Sequence, residues 1–168
     1  HHTDRRQRQM CIRDRVNLVQ QQFEIAQGKN IAQLPVRFDG HAIEVRVNAE
    51  RVEVQDNGSL NFVPEPGYVG EVHFPDETHV RVISAVEEGS LVPPYYDSMI
   101  AQIICWGSSR KEACSRMLDY LGKVRLEGIS TNLALSRMIL SDAEFLKGRF
   151  DTGFLEGFLE RIDFNELK

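Results

Sequence analysis

Between Glu44 and Glu50 four polar side chains stand at every second position: Glu44, Arg46, Asn48 and Glu50. They alternate with Ile43, Val45, Val47 and Ala49, the pattern of a strand with one face on a core and one toward water or a ligand. An arginine set between two carboxylates and a carboxamide can be oriented by them through charge-assisted hydrogen bonds. It can equally belong to a solvated ladder of charge pairs, worth about a few tenths of a kcal/mol. Spacing alone favours the ladder.

Other reactive side-chain types carry less. Pro93-Pro94 makes a rigid lead into Tyr95-Tyr96-Asp97-Ser98. Both tyrosine hydroxyls need partners if buried, and Asp97 either serves as one or caps the following turn. A packing and hydrogen-bonding corner is preferred there to a catalytic tyrosine. Cys105, inside Ile103-Ile104-Cys105-Trp106, reads as a small hydrophobe rather than a reactive thiol. His73 and His79 have no partner at ligand spacing, so no metal site is expected. No phosphate-binding glycine loop or nucleophile–base signature is present.

The elements that position these residues follow from pattern. Asn17 can cap a helix to about Gln27, with Leu18, Val19, Phe23 and Ala26 on one stripe and Gly28 as its stop. Pro35 and Asp39-Gly40 punctuate the approach to the Arg46 strand. Asp56-Asn57-Gly58 predicts a hairpin turn between Val52/Val54 and Leu60/Phe62. Gly70–Phe74 and Thr78–Val86 predict further strands, with Glu87-Glu88-Gly89-Ser90 as a turn. Ser109-Arg-Lys-Glu112 is a capping box opening a helix to about Leu121, with Ala113, Met117, Leu118 and Leu121 inward. Thr131 is expected to cap a second helix, Ser141-Asp-Ala-Glu144 to start a third, and Phe154, Leu155, Phe158 and Leu159 to line a fourth. Strands first and helices after argue for α+β with a mainly antiparallel sheet.

The 168 residues suit one domain or one piece of a larger protein. Apolar content of 42% and charged content of 27% are those of an ordinary soluble globule. No apolar run reaches the length of a membrane span, and a formal charge of −5 argues against a nucleic-acid partner. Three cysteines, Cys11, Cys105 and Cys114, lack metal spacing and cannot all pair, which suits a reducing compartment.

Residues 1–15 do not read as protein of the same kind. Arg5-Arg-Gln-Arg-Gln-Met-Cys-Ile-Arg-Asp14 has no apolar periodicity and looks like the conceptual translation of a transposon-end sequencing adapter. A basic nucleic-acid-binding arm and a tag led by His1-His2 are the alternatives, ranked lower. Without this leader the chain holds 15 basic and 23 acidic residues. The expected organisation is therefore a non-native leader at 1–15, helix and linker at 16–38, a domain at 39–160 and a tail at 161–168.

Gly40–Glu50 and Val92–Gly107 together resemble the C-terminal domain of biotin carboxylase, the ATP-grasp component of acetyl-CoA, propionyl-CoA and pyruvate carboxylases. Phe62-Val-Pro-Glu-Pro-Gly67, Glu127-Gly-Ile-Ser-Thr-Asn132 and Asp151-Thr-Gly-Phe-Leu-Glu156 agree with it in order. The resemblance runs from about Val16 to about Phe158. Arg51-Val52 departs from the family's Asp-Pro after Asn-Ala-Glu, and Ile83 stands where an acidic residue is usual.

The resemblance implies an α+β domain of an ATP-dependent ligase that carboxylates carrier-bound biotin with bicarbonate, by way of carboxyphosphate and CO2. Arg46 falls in the family motif Glu-x-Arg-x-Asn-Ala-Glu, and so is expected to be catalytic and biotin-binding. It would neutralise the charge that builds on the ureido oxygen as N1′ becomes nucleophilic. Glu44 and Glu50 are assigned here, by inference, to orienting it. Thr152 stands where the family approaches the adenine of ATP, or else caps a helix. Arg81 lies where the family's dimer interface runs. Biotin on a carrier, ATP and Mg2+ are the implied cofactors. Carrier protein or domain, carboxyltransferase and a second copy in a homodimer are the implied partners, in cytoplasm or mitochondrial matrix. The ATP-grasp lysines, glycine-rich lid and magnesium-binding glutamates are not in this sequence, so the chain alone is expected to be inactive. The competing reading is a non-catalytic dimerisation or binding module derived from the same domain. Another ATP-grasp ligase, such as a carbamoyl-phosphate synthase, is disfavoured by the Tyr-Tyr-Asp-Ser and Glu-x-Arg-x-Asn-Ala-Glu motifs.

Overall fold

Strand β1 (His41–Asn48) forms where the alternation predicts it, and the alternation is what buries it. The structure is a computed structural model and describes residues 18–30, 39–55 and 59–162. The chain divides into two units at Phe38/Asp39. In the first, helix α1 (Leu18–Ala26) ends as expected at Gly28, which takes a φ of +82°. There Lys29 N–H donates back to the Glu24 carbonyl at 2.9 Å and Gly28 N–H to that of Ile25 at 2.9 Å. A left-handed glycine just past the last turn is the usual way to satisfy free helix carbonyls. The expected Asn17 cap and the 1–15 leader lie outside the described residues.

The second unit is built on a three-stranded antiparallel sheet of β1, β6 (Val80–Ser84) and β8 (Met99–Gly107), in the order β1-β8-β6. Strand β2 (Glu50–Val54) pairs with β3 (Leu60–Pro64), Val52 opposite Phe62 and Val54 opposite Leu60. The register is that of the expected hairpin, whose turn at 56–58 lies outside the described residues. Strand β4 (Gly67–Tyr68) pairs with β7 (Leu91–Val92), and β5 (Val72–His73) with β9 (Arg125–Leu126). Gly70–Phe74 thus yields only two strand residues. Strand β8 is the central strand of the sheet.

One face of this sheet carries Ile43, Val45 and Val47 of β1 opposite Cys105, Ile103 and Ala101 of β8. Helix α2 (Arg110–Leu121) lays Ala113, Cys114, Met117, Tyr120 and Leu121 onto that face. Val47, Ile103, Cys105, Ala113, Met117 and Tyr120 are completely buried, and each large apolar side chain so placed stabilises the fold by about 1.5–3 kcal/mol. Tyr120 was not among the residues expected inward. It sits there because its hydroxyl donates to the Pro75 carbonyl at 2.8 Å, and burial pushes that hydroxyl up to about 12. Helices α3 (Leu133–Ser141), α4 (Ala143–Leu146) and α5 (Phe154–Leu159) complete the unit. The fold is α+β with antiparallel strands preceding helices, as the sequence predicts.

The predicted Thr131 cap does not form. Helix α3 is preceded by Asn132, not Thr131, and the Asn132 side chain does not cap it. Helix α4 is capped by Asp142, whose Oδ1 accepts from the Glu144 and Phe145 amides.

Candidate functional site

Arg46 points to the sheet face opposite the core. Cross-strand register sets it in a row with Gln102 of β8 and Ile83 of β6, and the next row is Glu44, Ile104 and Arg81. The two arginines singled out from the sequence therefore share one face, two strands apart. Trp106, a further residue of this face, meets the His79 ring edge-on at 5.8 Å. Arg81 is half-buried.

The Arg46 side chain is 69% exposed, and its Nε lies 3.5 Å from Glu44 Oε1. Its Nη groups make no hydrogen bond with the described residues. A guanidinium with its base anchored and its fork free can meet an anionic or carbonyl oxygen in two-point fashion. Neither of two clefts, about 670 Å³ and 360 Å³, is lined by Arg46.

Glu50 does something other than expected. Its carboxylate accepts from Asn48 Nδ2 at 3.2 Å and from the Ser98 hydroxyl. Register slips between Val47 and Asn48, so that Asn48 faces Met99 and Ile100 is the extra residue. That slip leaves the alternation of the 43–49 stretch intact, with Ala49 buried like Val47, and Glu50 ties the end of β1 to the residue before β8. Glu44 alone of the two carboxylates lies beside the guanidinium.

Asn132 was missed at this site. Its Nδ2 donates to the Arg46 carbonyl at 3.0 Å and its Oδ1 accepts from the Asn48 amide at 2.9 Å. The sequence signal was there, in the Glu127–Asn132 island, but it read as a helix cap one residue earlier.

Tyr95 and Tyr96 correct another expectation. They are 87% and 82% exposed, so they form no packed corner in this unit. Asp97 takes the second of its two expected roles, accepting from the Met99 amide at 2.8 Å. Thr152 is exposed and does not cap α5, whose preceding residue is Gly153. Asp151, not Thr152, closes that turn by accepting from the Gly153 amide at 2.9 Å, and both neighbours of Thr152 line the smaller cleft. Cys105 is fully buried, with its thiol pushed up to about 11 by burial. His73 is exposed and His79 half-buried. No cluster of three or more metal-ligating side chains occurs among the described residues, and no helix there is long and apolar enough to cross a membrane.

The family model described as Biotin carboxylase C-terminal domain matches residues 44–157. The chain is 40% identical over 144 residues to Biotin carboxylase 1 of Bacillus subtilis (strain 168), covering 84% of this chain and 31% of that protein. It is 39% identical over 153 residues to the biotin carboxylase of Haemophilus influenzae, covering 90% and 32%. Among solved structures it is similar to the biotin carboxylase domain dimer of Hydrogenobacter thermophilus 2-oxoglutarate carboxylase, in complex with MgADP, ADP and bicarbonate. The TM-score there is 0.71 at 30% identity, over 91% of this chain and 34% of that one. The chain spans about a third of the length of the relatives it matches.

Proposed function

Because the chain belongs to the biotin carboxylase C-terminal domain family, we propose that it works as the C-terminal part of an ATP-dependent biotin carboxylase, with Arg46 as its catalytic group. The observation that carries this reading is the Arg46 guanidinium itself, 69% exposed on a strand whose other face is core. Its free Nη donors fit the ureido oxygen of biotin, an acceptor that gains charge as N1′ turns nucleophilic. A donor already fixed where charge develops lowers the barrier without reorganising. Glu44 holds the guanidinium from the Nε side, leaving the fork for the ligand.

ATP and Mg2+ would supply the activation of bicarbonate and be held mainly by residues outside this chain. Thr152, exposed beside the smaller cleft, is the residue here proposed to approach adenine. A biotinyl carrier delivers the substrate, and a carboxyltransferase receives the carboxylated product. A second copy pairs near Arg81.

The test is Arg46→Ala and Arg46→Lys in a complete carboxylase carrying this segment. Loss of one such donor is expected to lower kcat by about 10²–10³-fold. Lysine is expected to rescue little, since a point charge does not reproduce the planar fork. If either variant kept biotin carboxylation within a few-fold of the parent, the reading would be wrong.

A further inference from the structure

Asn132 has the chemistry of a helix cap and occupies the cap position of α3, yet its side chain makes no bond to that helix. It is spent on β1 instead. Strand β1 is the edge of its sheet, and edge strands leave backbone N–H and C=O groups unpaired on one side. At the end of β1 those groups include the Arg46 carbonyl and the Asn48 amide. Asn132 meets both, Nδ2 to the carbonyl and Oδ1 to the amide, and its own backbone N–H donates to the Asn48 carbonyl at 3.3 Å. One residue thus pairs with the strand as a neighbouring strand would. A carboxamide is the short side chain that offers a donor and an acceptor side by side; a carboxylate offers acceptors alone.

The loop that presents Asn132 is itself fixed. Gly128 adopts a φ of +92°, and a Cβ there would lie 2.5 Å from the Tyr68 carbonyl oxygen. The adjacent Glu127 exchanges backbone hydrogen bonds with Gly70 at 2.7 Å and Glu71 at 3.0 Å. The Asn132 carbonyl accepts from the Ser136 amide and hydroxyl, each at 3.0 Å. Anchored on both sides, Asn132 brings a rigid point to the peptide units on either side of Val47, the first of which begins at the Arg46 carbonyl.

We propose that Asn132 is a positioning residue for Arg46: its carboxamide clamps the backbone that carries the guanidinium and so fixes where the fork points. This deepens the proposed function and rests on it. It gives the Glu127–Asn132 island a role, with Gly128 allowing the close approach and Asn132 delivering the clamp.

Two measurements separate the clamp from the reading beneath it. In the full chain, amide hydrogen exchange at Asn48 is expected to be slow and to accelerate in Asn132→Ala, while Ile103 and Cys105 in the central strand stay protected. In Asn132→Asp, which keeps the acceptor but loses the donor, the Asn48 amide is expected to stay protected. In a complete carboxylase carrying this segment, Asn132→Ala and Asn132→Asp are each expected to lower kcat on the order of 10- to 100-fold with the KM for ATP unchanged. In an Arg46→Ala background the same changes are expected to cost nothing further, because a positioning residue acts only through the group it positions. A purely structural role predicts equal losses in both backgrounds, and that result overturns the inference, as does unchanged exchange at Asn48 in Asn132→Ala. If Asn132→Ala does not accumulate, Asn132→Asp decides alone. Retained activity in Arg46→Ala would instead sink the functional reading and leave the exchange result standing.

Discussion

Glu44 and Arg46 meet at 3.5 Å with most of the guanidinium in solvent, a geometry that sets direction more than stability. Glu44→Gln is expected to change unfolding free energy by less than about 1 kcal/mol, measured by urea titration, and to lower kcat only a few-fold. The Arg46 position was legible because a period of two survives any tertiary context in which one face is buried. The role of Glu50 was not, since its partner Ser98 lies 48 residues further along the chain. Asn132 was displaced by one residue for another reason: Thr131 and Asn132 are both good caps, and local preference cannot register a bond to a strand 84 residues away. Tyr95 and Tyr96 were misjudged because an aromatic pair after Pro-Pro reads alike whether it is covered or bare. For Cys105 the expectation and the structure agree. With burial holding its thiol near 11, alkylation at pH 8 is expected to spare Cys105 until denaturant is added, read site by site by mass spectrometry. Rapid labelling of the folded chain at that residue would contradict the buried strand.

Helix α2 is the element against which the sheet is set, and its ends were readable. Ser109 caps it, accepting from the Glu112 amide at 3.3 Å. The reciprocal half of the expected box is shifted, because Glu112 Oε2 accepts from the Ser108 amide at 2.7 Å and hydroxyl at 2.5 Å. Those bonds hold the Glu112 carboxyl below its usual 4.5, with Arg116 adding to the effect. A folded value depressed below the unfolded one contributes stability that is complete above about pH 4.5 and lost as pH falls through the depressed value. Glu112→Gln is therefore expected to lower the melting temperature at pH 7 and to converge with the parent only once pH falls below the depressed value, as read by circular dichroism. Asp142 behaves alike at α4: burial pushes its carboxyl up, but bonds from Phe145, Arg161 and Glu144 outweigh this and hold it low. On the buried face of α2, Met117→Ala is expected to cost about 2–5 kcal/mol, measured by the same titration.

At the scale of the molecule, the family places this chain beside proteins about three times its length. The architecture of residues 39–55 and 59–162 was legible because strand alternation and turn glycines agree there with the fold. The sequence did not reveal that Tyr95 and Tyr96 stand exposed in this unit. Purified alone, the chain is expected to release no ADP in a bicarbonate-dependent assay; measurable release would mean that these residues hold more of the chemistry than proposed. The single carboxamide laid along the end of β1 has a further consequence for solubility. Bare strand edges recruit one another between molecules, and Asn132 occupies the one place where another chain could begin to zip onto Arg46 and Asn48. The side chain that steadies the fork thereby also serves as a stopper against intermolecular sheet growth, so light scattering of Asn132→Ala is expected to rise with concentration where the parent stays clear.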